Sequence, residues 1–234
     1  MEQLVHAASI GTKDAEWRTL FRISSVAAIL MVVLIPIQIV IFSISMPPET
    51  IEGWFELFRK SWLLGLIHLD IIYIIDNVLV AVIYLALYII LKKRNESLMA
   101  IAILLGFLGI AAYFASNTSF EMLSLSRAFE KAASDTDRSM LMAAAQVMIE
   151  TWRGTAFNTY YVLNGITLLL ISRVMYGSGT FSNRTAVIGL ISGILMVVPS
   201  TAGMIGLIFS LLSLIPWIIF CIMIAIRLRR LSII

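Results

Sequence analysis

Residues Trp62 to Leu91 form a thirty-residue run, WLLGLIHLDIIYIIDNVLVAVIYLALYIIL, that constrains the fold more than any other part of the chain. It exceeds the roughly 20 apolar residues that a helix needs to cross a bilayer. Yet it carries His68, Asp70, Asp76 and Asn77. Ionisable groups at membrane depth are costly, and they face a bundle interior or a wet cavity. On a helix turning about 100° per residue, with Tyr73 as origin, Tyr84 falls at about 20°, Asn77 at about 40°, Asp70 and Tyr88 at about 60°, and Asp76 at about −60°. Ile71, Ile72, Val78, Val82, Leu85 and Ile89 cover the remaining circumference. The run therefore reads as a helix with a lipid face and a hydrogen-bonding face. Such a polar face either joins neighbouring helices, at about 0.6 kcal/mol per bond, or lines a pocket. The tyrosines and Asn77 suit the first reading, and the two aspartates suit the second.

The same texture recurs along the chain. Hydrophobic residues make up 60% and charged residues 13%, against about half and about a quarter in soluble domains. The expected fold class is all-α, a polytopic membrane bundle of six transmembrane helices in a single domain over 1–234. The spans fall at about 23–46, 62–91, 97–116, 156–176, 185–199 and 203–226. No small-residue cleavage pattern follows the first run, so it reads as retained, with Pro36 as a possible kink. Residues 49–60 place Trp54, Phe55, Leu57 and Phe58 among charges, the pattern of a helix lying in the headgroup layer. Residues 117–153 are too charged to span but form helices readily. Ser134 offers an N-cap and Gly154 a C-cap, and Leu141, Ala144, Met148 and Trp152 form an apolar stripe. These features predict an amphipathic helix pair packed on the membrane face. Gly189 and Gly193 stand in GxxxG spacing, and Gly206, Ser210 and Ser213 share a small-residue face, both signatures of close helix packing.

Lysine and arginine set the orientation. Eleven lie in the N-terminal tail, the 92–94 and 173–184 turns and the C-terminal end, and six lie in 47–61 and 117–154. The positive-inside rule puts the first set, with both termini, in the cytoplasm of a cell (inner) membrane, and the helix pair outside. Polar residues of three spans then meet at one depth, near the outer surface. They are Asp70, Tyr73, Asp76 and Asn77 from the second span, Ser116 and Asn117 ending the third, and Asn158 and Tyr161 beginning the fourth; His68, Tyr84 and Asn164 are further ligand-binding candidates. A polar, outward-opening pocket in the outer leaflet follows, roofed by the helix pair.

Several chemistries are excluded or disfavoured. Two histidines, His6 and His68, cannot make a three-histidine zinc site. Asp70 and Asp76 lie about 120° apart on one helix, too splayed to clamp one ion. For the same reason they do not form a facing carboxylate dyad. No GxSxG, HExxH, Walker A or dinucleotide glycine motif is present, and no cofactor is implied. The basic residues flank hydrophobic ends and form no nucleic-acid patch, and the single Cys221 excludes an intramolecular disulfide. Glu121, Arg127, Glu130, Glu150 and Arg153 read as solvated pairs holding the cap together. The partners expected are the bilayer, a lipid-like or small polar ligand near Asp76, and through the glycine face another helix. Binding or sensing is the leading function; a membrane-embedded hydrolase using Asp76 and its neighbours, and a structural membrane subunit, are the alternatives.

The pattern HLDIIYIIDNVLVAVIYLALYIIL and the turn MYGSGTFSNRTAVIGLI resemble a prokaryotic family of uncharacterised integral membrane proteins, a domain of unknown function with six to seven spans and an aspartate-bearing second span. The likeness covers most of residues 20–230. It implies the architecture and no reaction. Related members tend to carry a histidine in the fourth span, where this chain has Asn158 and Asn164.

Overall fold

A computed structural model describes the backbone of residues 2–233 and side chains from Glu16 to Ile233. The expectations for His6 and Lys13 in the N-terminal tail therefore lie outside the described side chains. Among the described residues the secondary structure is helix without strands, as the all-α reading requires. In chain order the helices are α1 (Glu2–Ile44), α2 (Ile51–Lys60), α3 (Trp62–His68), α4 (Ile71–Leu91) and α5 (Glu96–Ser116). They continue with α6 (Ser119–Lys131), α7 (Asp135–Trp152), α8 (Thr155–Met175), α9 (Asn183–Met196) and α10 (Gly203–Leu231).

Short polar residues start several of these helices by accepting from an otherwise unpaired backbone N–H three positions on. Thr50 caps Gly53, Asn95 caps Leu98, Ser134 caps Asp137 and Ser182 caps Thr185, at 3.0–3.1 Å. Ser134 acts as its sequence context suggests. Gly154 does not: Arg153 ends α7, and Gly154 begins α8 with φ −85°. A Cβ at Gly154 would lie 2.8 Å from the Glu150 carbonyl, so a close approach, and not a left-handed cap, explains the glycine.

Four helices are long and apolar enough to cross a membrane: the Glu16–Ile44 part of α1, α4, the helical stretch beginning with α5, and α10. The 14-residue α9 is apolar but shorter. With α8 these pack around one core that includes Met31, Tyr84, Leu87, Leu168 and Phe220. Large apolar side chains such as Ile29, Leu104, Ile191 and Leu211 point outward, as lipid-facing positions should. Ser25 Oγ donates to the Ala225 carbonyl (2.9 Å) and Ser24 Oγ to that of Val82 (3.1 Å), so the middle of α1 joins the last part of α10 and the second half of α4.

The glycine faces are used within the chain. A Cβ at Gly189 would strike Ser172 and Phe220, and one at Gly193 would lie 2.9 Å from Leu169. The GxxxG surface offered for an oligomer partner is therefore covered by α8 and α10.

The structure corrects the 62–91 span. It is two helices, broken at Leu69 and Asp70, and Asp70 takes a left-handed conformation (φ 64°, ψ 28°). Asparagine and aspartate enter that region more readily than other non-glycine residues. The break is held by long-range bonds: Asn117 Nδ2 donates to the Leu69 carbonyl (2.8 Å) and the Tyr113 hydroxyl to that of Asp70 (3.3 Å). The one-helix wheel therefore holds from Ile71 onward but does not place Asp70 or His68.

The cap is also larger than a helix pair. Helices α2, α3, α6 and α7 share a second core built on Trp54, Phe55, Phe58, Leu66, Met122 and Trp152. The aromatic residues of α2 thus turn into this core, where the headgroup-layer reading had them at the membrane interface. Trp54 and Trp152 meet edge to face with ring centroids 6.0 Å apart. The ion pairs expected across the cap do not form: among the described residues Glu121, Arg127, Glu130, Glu150 and Arg153 make none with each other. Glu150 instead accepts from Gln146 Nε2 (2.8 Å), and Arg153 lies 4.6 Å over the Trp152 ring. Apolar packing holds the cap.

Candidate functional site

Between the cap and the bundle lies a cavity of about 450 Å³, within the range of about 300–1,000 Å³ typical of small-molecule sites. Helix α4 supplies its polar wall with Tyr73, Asp76, Asn77 and Tyr84, and Asp70 stands at the entrance to that helix. Helix α8 faces them with Phe157, Tyr160, Tyr161 and Asn164, and α5 contributes Tyr113. At 1.5 Å per residue, Asp76 lies about 9 Å beyond Asp70, and Tyr84 about 20 Å from the start of α4. The polar lining therefore reaches beyond the middle of α4.

Two kinds of polar group line this space. The first kind is satisfied by protein. Trp152 Nε1 donates to Asp70 Oδ2 at 2.8 Å, so that carboxylate ties the cap to the break. The Tyr84 hydroxyl donates to Asn164 Oδ1 (3.0 Å), and Asn164 Nδ2 donates to the Tyr160 carbonyl (3.2 Å). Tyr161 and Ser210 share a hydrogen bond of 3.1 Å. The second kind is unsatisfied. Asp76 Oδ1 and Asn77 Oδ1 are buried without a hydrogen-bond partner, although Asn77 Nδ2 donates to the Tyr73 carbonyl at 2.9 Å. Asp76 is 4% and Asn77 1% exposed. An acceptor left in this state costs about 1–3 kcal/mol, which sets the pair apart from the bonded Asp70, Tyr84, Tyr161 and Asn164.

Of the sequence candidates, Asp70, Tyr73, Asp76, Asn77, Tyr84, Tyr161 and Asn164 share this cavity. His68, Ser116, Asn117 and Asn158 do not line it. His68 shares a 3.0 Å hydrogen bond with Ser45 and lies edge-on to Phe42. Ser116 donates to the Tyr113 carbonyl (2.8 Å), and Asn158 accepts from the Thr201 hydroxyl. Asn117, besides its bond to Leu69, accepts from the Ser119 amide (3.2 Å) and hydroxyl. These four residues brace the loops around the site.

The remaining walls come from elements that gave little polar signal. Met31 and Ile35 of α1, and Leu214 and Trp217 of α10, make an apolar side. Ser210 and Ser213, read as a packing face, line the cavity as well. So do Ser200 and Thr201 from the 197–202 connection. Arg153 lines the side next to the cap. Among the described residues no group of three His, Cys, Asp or Glu gathers as a metal-ligand set.

Close packing fixes the polar wall. A Cβ at Gly109 would strike Asn164 Nδ2, and one at Gly106 would lie 2.8 Å from the Tyr84 ring. These glycines let α5 press both members of the Tyr84–Asn164 bond into place. Tyr84→Phe should therefore lower stability by about 1–3 kcal/mol, because it strands the Asn164 carbonyl oxygen. Asn164→Leu in that background should cost less than it does alone. Thermal denaturation of the four proteins of the cycle in detergent measures this, and strictly additive losses would show that the bond carries no coupling.

An all-α bundle with four helices long and apolar enough to cross a bilayer, closed around a polar cavity, defines an integral membrane protein. The family described as a domain of unknown function (DUF4386) matches residues 55–228, and the chain belongs to it. No curated protein and no solved structure matches the chain.

Proposed function

We propose that this protein binds or senses an amphipathic small molecule or lipid in the cavity beneath its cap. The observation that carries the reading is the pair of buried, partnerless acceptors, Asp76 Oδ1 and Asn77 Oδ1, in the wall of a 450 Å³ space. Gln38, His68, Ser172 and Arg227 also bury an unpartnered atom, but among the described residues only Asp76 and Asn77 do so at adjacent positions in the cavity wall. The mixed lining supports an amphipathic occupant, with polar groups on α4 and α8 and an apolar side on α1 and α10.

In this reading α1, α4, α5, α8, α9 and α10 are the six spans. The lysines and arginines at 92–94, 173–184 and 227–230 face the cytoplasm of the cell membrane, and the four-helix cap stands outside. A hydrolase is less well supported. Asp70 is engaged by Trp152, and His68 is engaged by Ser45 away from the cavity. His68 and Ser45 do form a hydrogen-bonded base–hydroxyl pair, but neither lines the cavity and His68 Nδ1 has no partner to orient the ring. A purely structural role leaves the stranded acceptors without a purpose.

Native mass spectrometry of protein released from its own membrane, with wild type beside Asp76→Leu, tests the reading. Wild type is expected to carry a retained adduct that the variant lacks. Identical spectra for the two proteins would contradict it.

A further inference from the structure

Among the residues that line the cavity, the buried side-chain atoms without a partner are both oxygens, Asp76 Oδ1 and Asn77 Oδ1. Each asks for a donor, and a carboxyl and a carboxamide oxygen side by side ask for a ligand group with more than one N–H to give. The surroundings point the same way. Two carboxylates, Asp70 and Asp76, line the space against one guanidinium, that of Arg153. The loops and cap helices at 47–61 and 117–154 carry eight acidic and six basic residues, so that end of the molecule also favours a cation.

An aromatic wall stands beside the acceptors. Tyr113 and Tyr160 have ring centroids 4.9 Å apart, Tyr160 and Tyr161 5.6 Å, and Phe157 and Tyr161 5.2 Å. Aromatic faces attract ammonium groups, and more strongly when water is excluded. An anionic headgroup finds little here. The indole N–H of Trp152 is already donated to Asp70, and Asp76 would repel it.

Resting on the binding reading above, we infer that the ligand is an amphipathic amine: a protonated nitrogen donating to Asp76 Oδ1 and Asn77 Oδ1 against the tyrosine wall, with an apolar body along Met31, Ile35, Leu214 and Trp217. A charged nitrogen taken out of water needs both an opposite charge and filled hydrogen bonds, and this floor supplies both. The same chemistry is carried by a free hydrophobic amine and by an amine-bearing lipid headgroup.

The full chain in lipid nanodiscs distinguishes these cases by thermal shift. The probes are dodecylamine, dodecanol and dodecanoate at equal concentration in phosphatidylcholine discs, and separate discs that contain phosphatidylethanolamine. Dodecylamine should raise the melting temperature in a saturable way, while dodecanol and dodecanoate should not. A matching rise in the phosphatidylethanolamine discs, with no further effect of dodecylamine, assigns the site to the lipid headgroup; a dodecylamine effect in both kinds of disc assigns it to a free amine. Asp76→Asn, which keeps the shape and loses the charge, should weaken dodecylamine by about tenfold or more, since a bond to a charged partner is worth more than a neutral one. Saturable stabilisation by dodecanol or dodecanoate equal to that by the amine would overturn the amine assignment and leave the pocket reading standing. No saturable effect of any amphiphile would overturn both.

Discussion

Asp76→Leu is expected to yield a protein that melts higher when empty and holds no ligand. The carboxyl oxygen Oδ1 is buried with no partner, which costs about 1–3 kcal/mol in the unliganded state. Leucine keeps the branching of aspartate at Cγ, and its larger volume enters the cavity that this position lines, so the cost is recovered instead of being moved elsewhere. For a chain of this size each kcal/mol shifts the midpoint by about 2–4 °C. Thermal denaturation in detergent stripped of native lipid gives the stability, and adduct mass gives the binding. A residue kept for packing behaves the other way, because its loss lowers the midpoint and leaves binding alone. A fall in stability for Asp76→Leu would mean that the carboxyl is satisfied in the folded protein.

The second large effect belongs to Trp152. Its ring is buried in the cap core against Trp54, and its N–H holds Asp70 at 2.8 Å. Asp70 also carries the left-handed turn between α3 and α4, a conformation that costs a non-glycine residue of the order of 1–3 kcal/mol and persists only when its surroundings enforce it. Trp152→Ala removes the packing and the enforcing bond together. The loss should reach about 3–5 kcal/mol, the usual range for deleting a large buried aromatic. Trp152→Phe keeps most of the packing and should cost about 1–3 kcal/mol through the stranded carboxylate. Hydrogen exchange locates the effect. Protection should fall across 119–152 and around Asp70 and remain unchanged in α9 and α10. Uniform loosening of the bundle, or none in the cap, would contradict the role given to this residue.

How much of this was legible in the sequence depended on whether a feature had a local signature. Apolar runs imposed helices, and the wheel from Tyr73 to Tyr84 gathered the polar face of α4, because helical periodicity fixes which side chains share a side. The break at Asp70 had no such signature. No proline or glycine stands at Leu69 or Asp70, and the turn is held by Asn117, Tyr113 and Trp152, all more than forty residues away in sequence. The aromatic residues of α2 had an ambiguous one, since a headgroup-layer helix and a cap-core helix want the same amphipathic stripe. Met31 and Trp217 were invisible as site residues because an apolar wall looks like any other core.

One further signal of the site stands on α5. Gly106, Gly109 and Tyr113 fall within about 60° of one another on α5. Two glycines on a face that also carries a tyrosine mark a close approach beside a polar group, and Asn164 and Tyr84 are what they meet.

The central claim is that the cavity beneath the cap is an occupied binding site, with its floor at Asp76 and Asn77. Its most direct test is a cryo-electron microscopy map of protein taken from native membrane without lipid exchange, compared with a map of Asp76→Leu. The account predicts elongated non-protein density with its polar end within hydrogen-bond distance of Asp76 in the first map and none there in the second. A cavity filled only by ordered water in the wild type, or the same density in both maps, would contradict it.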